Sequence, residues 1–120
     1  MGCPFCKPEE VVLSSELAYV KVDKFPVSPG HLLIVPKRHE ANYFDLSQEE
    51  QHAIISLIGE AKTYLEHLRK PDGYNIGINI GTPAGQTVMH AHCHLIPRYF
   101  GDLEDPRGGV RGVILDKRIY

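Results

Sequence analysis

No apolar run in this 120-residue sequence goes far: the longest, Leu32 to Val35, falls well short of the ~18 residues that a membrane-spanning helix needs. The opening residues show no charged leader followed by an apolar stretch. The expectation is a cytoplasmic protein with no membrane partner. An excess of positive charge is missing too. Thirteen Lys and Arg against fifteen Asp and Glu leave a formal charge of -2, far from the basic balance of duplex binders, so no nucleic-acid polymer is expected as partner. Cysteine is scarce and odd in number, three in all, which makes a poor disulfide set. A domain of this size buries somewhat under ~70% of its unfolded surface and needs no such staples. No repeat, low-complexity tract or linker divides the chain. Residues 1–120 therefore read as a single domain, with a short N-terminal segment (1–16) and a C-terminal tail (101–120).

What is present has the 42% hydrophobic and 23% charged content of an ordinary globular domain. Ala18 to Asp23 alternates as a strand does, two prolines and a glycine mark a turn at 24–30, and His31 to Val35 reads as a second, largely buried strand. Ser47-Gln-Glu-Glu50 matches a capping box, so a helix should begin there. Its predicted stripe is Ile54, Ile58, Ala61, Leu65 and Leu68, and Pro71-Asp72-Gly73 ends it. From Tyr74 the period becomes two, with Tyr74, Ile76, Ile78 and Ile80 facing the core and Asn75, Gly77 and Asn79 facing out. After a loop at 81–85, Val88 to Pro97 alternates again, placing Met89, Ala91, Cys93 and Leu95 on one face and His90, His92 and His94 on the other. Several strands and one dominant helix predict an α+β fold, a mostly antiparallel sheet with one long helix packed on it.

Three of the seven histidines fall within five positions. On a strand they would form a row roughly 13 Å long on one face. Such a row suits a metal, or it suits nucleophilic and acid–base chemistry in which one neutral imidazole attacks while its neighbours bind developing charge. Scattered surface histidines are the bland alternative. Cys3-Pro-Phe-Cys6 is a Cys-x-x-Cys knuckle: a zinc half-site, a redox dithiol or two unrelated thiols. With no second such pair, histidines would have to complete a zinc site. Cys93 is expected to be a buried filler. His52 and His67 are expected on the solvated side of the helix, and His31 as a structural residue.

His90-Ala-His92-Cys-His94-Leu95-Ile96 resembles the His-x-His-x-His-x-x signature of the histidine triad (HIT) superfamily. Pro29-Gly-His-Leu-Leu-Ile-Val-Pro-Lys-Arg-His39 looks like that family's second-strand segment, Gly85-Gln86-Thr87-Val88 like its phosphate-binding approach, and Gly108-Gly-Val-Arg-Gly-Val-Ile114 like the tails of many microbial members. The resemblance covers the chain from about Tyr19 onward. Ala91 and Cys93 depart from it mildly, being smaller than the usual branched residues.

The resemblance implies a HIT-like fold and a nucleotide hydrolase or nucleotidyl transferase that cleaves at an α-phosphate, on dinucleoside polyphosphates or nucleoside phosphoramidates, with purine nucleotides preferred. By position His92 would be the nucleophile, its Nδ1–H held by a backbone carbonyl so that Nε2 is free to attack. His94 would bind a non-bridging phosphate oxygen. Gln86, Asn79 and the backbone of Gly85, Thr87 and Val88 would contact phosphate, and Asp23 the ribose. Phe5, Leu33 and Ile34 would line a base pocket or simply be core. Some members carry a structural zinc, and the matching ligands here are Cys3, Cys6, His39 and His90. The resemblance also implies a homodimer, with the long helix and a sheet edge at the contact. A nucleotidyl transferase using phosphate as acceptor, and a non-catalytic nucleotide- or metal-binding module, stand as alternatives.

Overall fold

The structure is a computed structural model and describes residues 2–120, so Met1 of the N-terminal segment lies outside the described residues. Five strands form one antiparallel sheet: β1 (Val11–Ser14), β2 (Ala18–Val22), β3 (Leu32–Pro36), β4 (Gly73–Ile78) and β5 (Cys93–Arg98), in the order β1-β2-β3-β5-β4. A single long helix, α1 (Gln48–Leu68), joins β3 to β4 and lies over β1, β2, β3 and β5. β1 falls in the N-terminal segment, where the sequence pattern shows no strand. It is short and half-exposed at the sheet edge, so it lacks the alternation that burial imposes.

Strand alternation sorts the sheet into two faces. Ala18, Val20, Leu32, Ile34, Cys93 and Leu95 point at α1 and meet its Ile54, Leu57, Ala61 and Leu65 in the main core. The helix stripe is thus rotated slightly from the predicted one: Leu57 is buried, while Leu68, at the last turn, is 64% exposed. β4 lies beyond the helix at the far edge, which leaves Ile76 half-exposed although it points to the core side. The other face carries a smaller cluster of Phe5, Tyr19, Leu33 and Val35. Tyr19 Oη donates to the Phe5 carbonyl at 2.5 Å and so ties the N-terminal segment to this face. The turn before β3 needs Gly30, whose φ of +93° favours glycine and where a Cβ would meet Leu65 of α1 and Arg69 just past its end at 3.1 Å.

The predicted capping box is present. Ser47 Oγ accepts from the Glu50 amide at 3.1 Å and Glu50 Oε1 accepts from the Ser47 amide at 2.8 Å. Arg38, just past β3, makes a two-pronged pair with the same carboxylate at 3.0 Å on each oxygen, locking the helix start to the sheet. Arg38 and the Ser47 backbone together hold the Glu50 carboxyl down at about 2. Its folded pKa is depressed, so its contribution is complete above the ordinary value near 4.5 and is lost as pH falls toward 2. Ser47→Ala should cost about 1 kcal/mol in urea unfolding at neutral pH. Glu50→Gln should flatten the acid limb of stability between those two pH values.

Candidate active site

Only one triad histidine stands on a strand. The expected strand from Val88 is cut short: β5 begins at Cys93, and the stretch before it is irregular because its polar groups bond elsewhere. The Ala91 amide donates to the Glu40 carbonyl at 2.6 Å instead of pairing in the sheet, and Met89, expected on the same face as Cys93, is 41% exposed. The three imidazoles therefore do not form a row on one face. His90 turns toward the N-terminal cysteines, His94 stays on β5, and His92 sits between them.

His90 does three things at once. Its Nε2–H donates to the Pro36 carbonyl at 2.7 Å, which leaves the Nδ1 lone pair facing Cys3 Sγ at 3.4 Å and Cys6 Sγ at 3.6 Å. Its backbone carbonyl accepts from His92 Nδ1–H at 2.8 Å. His39 Nδ1 lies 3.2 Å from Cys6 Sγ, and the four ligand atoms all fall within 4.8 Å of one another. A tetrahedral zinc with bonds of about 2.3 Å to sulfur and about 2.0 Å to nitrogen sets sulfur–nitrogen edges near 3.5 Å, and the observed contacts cluster there. The Pro36 carbonyl is the outer partner that orients a ligating imidazole, and burial pushes the His90 pKa down, toward the neutral form that binds metal. The donor set fits zinc.

With Nδ1–H held by His90, His92 is the tautomer whose Nε2 carries the lone pair. No hydrogen-bond partner meets that Nε2 among the described residues, yet none of their buried side-chain nitrogens is left unpaired. Nε2 therefore reaches the surface although the residue as a whole is only 9% exposed. Its ring packs on Phe5 at 4.9 Å and on His94 at 5.2 Å.

His94 opens into a cavity of about 410 Å³ that it shares with His31, Asn79, Gly77, Val110 and others. Its tautomer is set through His31, which sequence reasoning left without partners. The Val27 amide donates to His31 Nδ1 at 3.1 Å, so the His31 proton sits on Nε2, 2.9 Å from His94 Nδ1 and 3.2 Å from Asp23 Oδ2. His94 Nδ1 then accepts, and its own proton faces outward on Nε2, available to a ligand oxygen. Asp23, His31 and His94 cluster tightly enough for a metal, but the Val27 amide occupies the lone pair that a metal-bound neutral His31 would need to protonate. They form a hydrogen-bond relay. The clue missed in the sequence is the pairing of Leu33 with His94 across β3 and β5, which brings the start of β3 beside the triad.

The remaining expected contacts are placed as follows. Asn79 lies just past β4 on the cavity wall. Asp23 Oδ1 accepts from the Phe25 amide at 2.8 Å while Oδ2 faces the relay. Gly85 has a φ of +96° and closes the 3₁₀ turn Thr82–Ala84, and Thr87 is exposed with Val88 partly covered. Gln86 is 4% exposed and its amide is fully engaged, accepting from Gly81 N–H and donating to the Ala41 and Val88 carbonyls. It braces the approach from inside and does not face the cavity with a free donor. Cys93 is 1% exposed, and His52 and His67 are solvated. The tail is tied down, since Arg111 and Arg118 donate to carbonyls of the tail itself and Gly109–Val113 lines the cavity.

Burial first, then the neighbouring His92 and His31, push the His94 pKa down to about 4, and burial also lowers His31. Groups depressed on folding bind protons more readily unfolded, so stability should fall as pH drops below about 6.5 toward 4. Scanning calorimetry across that window checks this, and His94→Asn should remove part of the slope.

A family profile described as HIT domain matches residues 5–101. An uncharacterized HIT-like protein of Methanocaldococcus jannaschii is 40% identical over 96% of this chain and 94% of its own length. The AP-4-A phosphorylase of Mycobacterium tuberculosis is 34% identical over 77% of this chain and 48% of its own. For the bis(5'-adenosyl)-triphosphatase of Saccharomyces cerevisiae the figures are 36%, 79% and 47%. The chain thus spans about half the length of these two enzymes. The crystal structure of a Zn-bound histidine triad family protein from Mycobacterium smegmatis superposes with a TM-score of 0.76 at 32% identity, over 87% of this chain and 80% of that one. With the profile spanning most of its length, this chain belongs to the HIT domain family.

Proposed function

We propose that the chain is a nucleotide hydrolase or nucleotidyl transferase that works through a nucleotidyl–His92 intermediate. One observation carries this reading: His92 has its Nδ1 proton held by the His90 carbonyl at 2.8 Å and its Nε2 unpaired at the surface. An imidazole poised in this way is a nucleophile. Nε2 attacks the α-phosphorus, the P–N bond forms and the bond to the leaving phosphate or amine breaks. The positive charge that develops on the ring is stabilised by the short Nδ1–H···O=C bond. Water or inorganic phosphate then attacks phosphorus, the P–N bond breaks, and Nε2 regains its lone pair.

His94 donates from Nε2–H to a non-bridging oxygen, and Asn79 on the same wall adds a second polar group. Equatorial oxygens carry the charge of a phosphoryl centre, so fixed donors are what this chemistry needs. Gln86 acts by holding the 81–88 loop, whose backbone Gly85, Thr87 and Val88 approach the phosphate, and Asp23 takes a ribose hydroxyl. Cys3, Cys6, His39 and His90 hold a structural zinc. When bound, the metal fixes the N-terminal segment against the sheet and takes no part in the reaction. The open edge of β4, with Ile76 half-exposed, supports a second copy of the chain at that edge.

The relatives include both a phosphorylase and a triphosphatase, and the two reactions differ only in the acceptor that intercepts the intermediate. His92→Asn should abolish turnover of nucleoside phosphoramidates and dinucleoside polyphosphates while keeping nucleotide binding. Wild-type turnover in that variant would exclude the mechanism. Elemental analysis of the purified protein should give one zinc per chain, and chelation or Cys6→Ser should lower its melting temperature.

A further inference from the structure

The catalytic face carries a buried cation that the mechanism leaves unused. Lys21 pairs with Leu33 across β2 and β3, and Leu33 pairs with His94 across β3 and β5, so all three stand in one transverse row on the same face. Lys21 is 7% exposed. Lysine is almost never buried to this degree without a counter-charge, yet no carboxylate makes an ion pair with it among the described residues. Its Nζ donates to the Val22 carbonyl next to it at 3.0 Å and sits 5.8 Å from the centre of the Phe5 ring. Phe5 in turn touches His92 at 4.9 Å. Phe5 thus stands between the nucleophile and the ammonium, and Asp23, two residues beyond Lys21, sits 3.2 Å from His31 Nε2 and 3.9 Å from His94 Nδ1.

Lys21 lines a cavity of about 180 Å³ together with Glu9, Glu10 and Lys24. Whole-ligand pockets run to roughly 300–1,000 Å³, so this space takes one end of a ligand. Glu10 is the only described non-glycine residue with a positive φ, +55°, and its carbonyl accepts from the Val22 amide at 3.1 Å. Strain of this kind persists where the surroundings hold it, often at binding sites.

We infer that Lys21 and the Glu9–Glu10 carboxylates read the base of the bound nucleotide and select a 6-oxopurine, guanine above all, over adenine. Lysine only donates hydrogen bonds and a carboxylate only accepts them. Guanine offers an acceptor at O6 beside donors at N1–H and the 2-amino group, which matches that pair. Adenine offers a donor at its 6-amino group and an acceptor at N1, the reverse order, so Lys21 faces an N–H group and the carboxylates face a lone pair. The inference rests on the nucleotide-processing reading above.

Isothermal calorimetry of the full-length chain with GMP, IMP and AMP tests it. GMP and IMP should bind about tenfold or more tightly than AMP, the scale of one hydrogen bond to a charged group, with GMP at least as tight as IMP. Lys21→Met should bring GMP to within a few-fold of AMP. AMP binding as tightly as GMP in the wild type overturns this inference and leaves the nucleotide reading intact. So does tighter binding of an adenosine nucleotide bearing a 2′- or 3′-phosphate, which would make Lys21 a phosphate ligand. A Lys21→Met protein of normal melting temperature that keeps the wild-type ranking overturns it as well. If none of the monophosphates binds, the nucleotide reading falls and takes this inference with it.

Discussion

The short hydrogen bond from His92 Nδ1–H to the backbone carbonyl of His90 is the constraint on which the rest of the site depends. A free imidazole exchanges its proton between two nitrogens, and only one tautomer leaves the outward nitrogen nucleophilic. Holding that tautomer requires a carbonyl at one fixed place, and the His90 backbone stays there because its side chain is anchored twice. Nε2–H is fastened to Pro36 at the end of β3, and Nδ1 looks into the cysteine cluster. The cysteine–histidine cluster and His92 thus share a residue, one through its ring and the other through its main chain. A metal held by that cluster would steady the main chain that fixes the His92 tautomer.

A second chain of hydrogen bonds does for His94 what His90 does for His92. It runs from the Val27 amide through His31 to His94 and is flanked by Asp23. The two chains produce opposite results on neighbouring rings: a lone pair outward on His92 and a proton outward on His94. A nitrogen lone pair beside an N–H donor is the arrangement that the proposed reaction at a phosphoryl centre calls for, with bond formation at phosphorus and charge at the oxygens. Both chains start from backbone groups, so the two opposite tautomers are built into the fold, with the Asp23 carboxylate as the charged side chain beside the second.

Much of the architecture was legible from local pattern. The capping box announced α1, the strands β2 and β3 followed from alternation and turn residues, and the placing of Cys93 in the core followed from its parity with the histidines. The errors have a common origin. Local periodicity extended β5 back to Val88, but Ala91 gives its amide to Glu40 and Gln86 ties the loop inward, both distant in sequence. Leu68 fits the helical period, yet no strand lies beneath the last turn. β1 has too little burial to show any alternation. His31 looked solitary because its partners, His94 and Asp23, arrive from β5 and from just past the end of β2.

The sequence by itself determined which elements form, which faces they bury and which residue types stand ready for chemistry, since these follow from propensity and from period along one segment. It also determined the family, through four motifs in order. Only the tertiary structure decided the surroundings of each histidine. Tautomer, exposure of a single nitrogen and ligand distance all depend on groups brought from elsewhere in the chain, and a local pattern carries no record of what folding will set across from it.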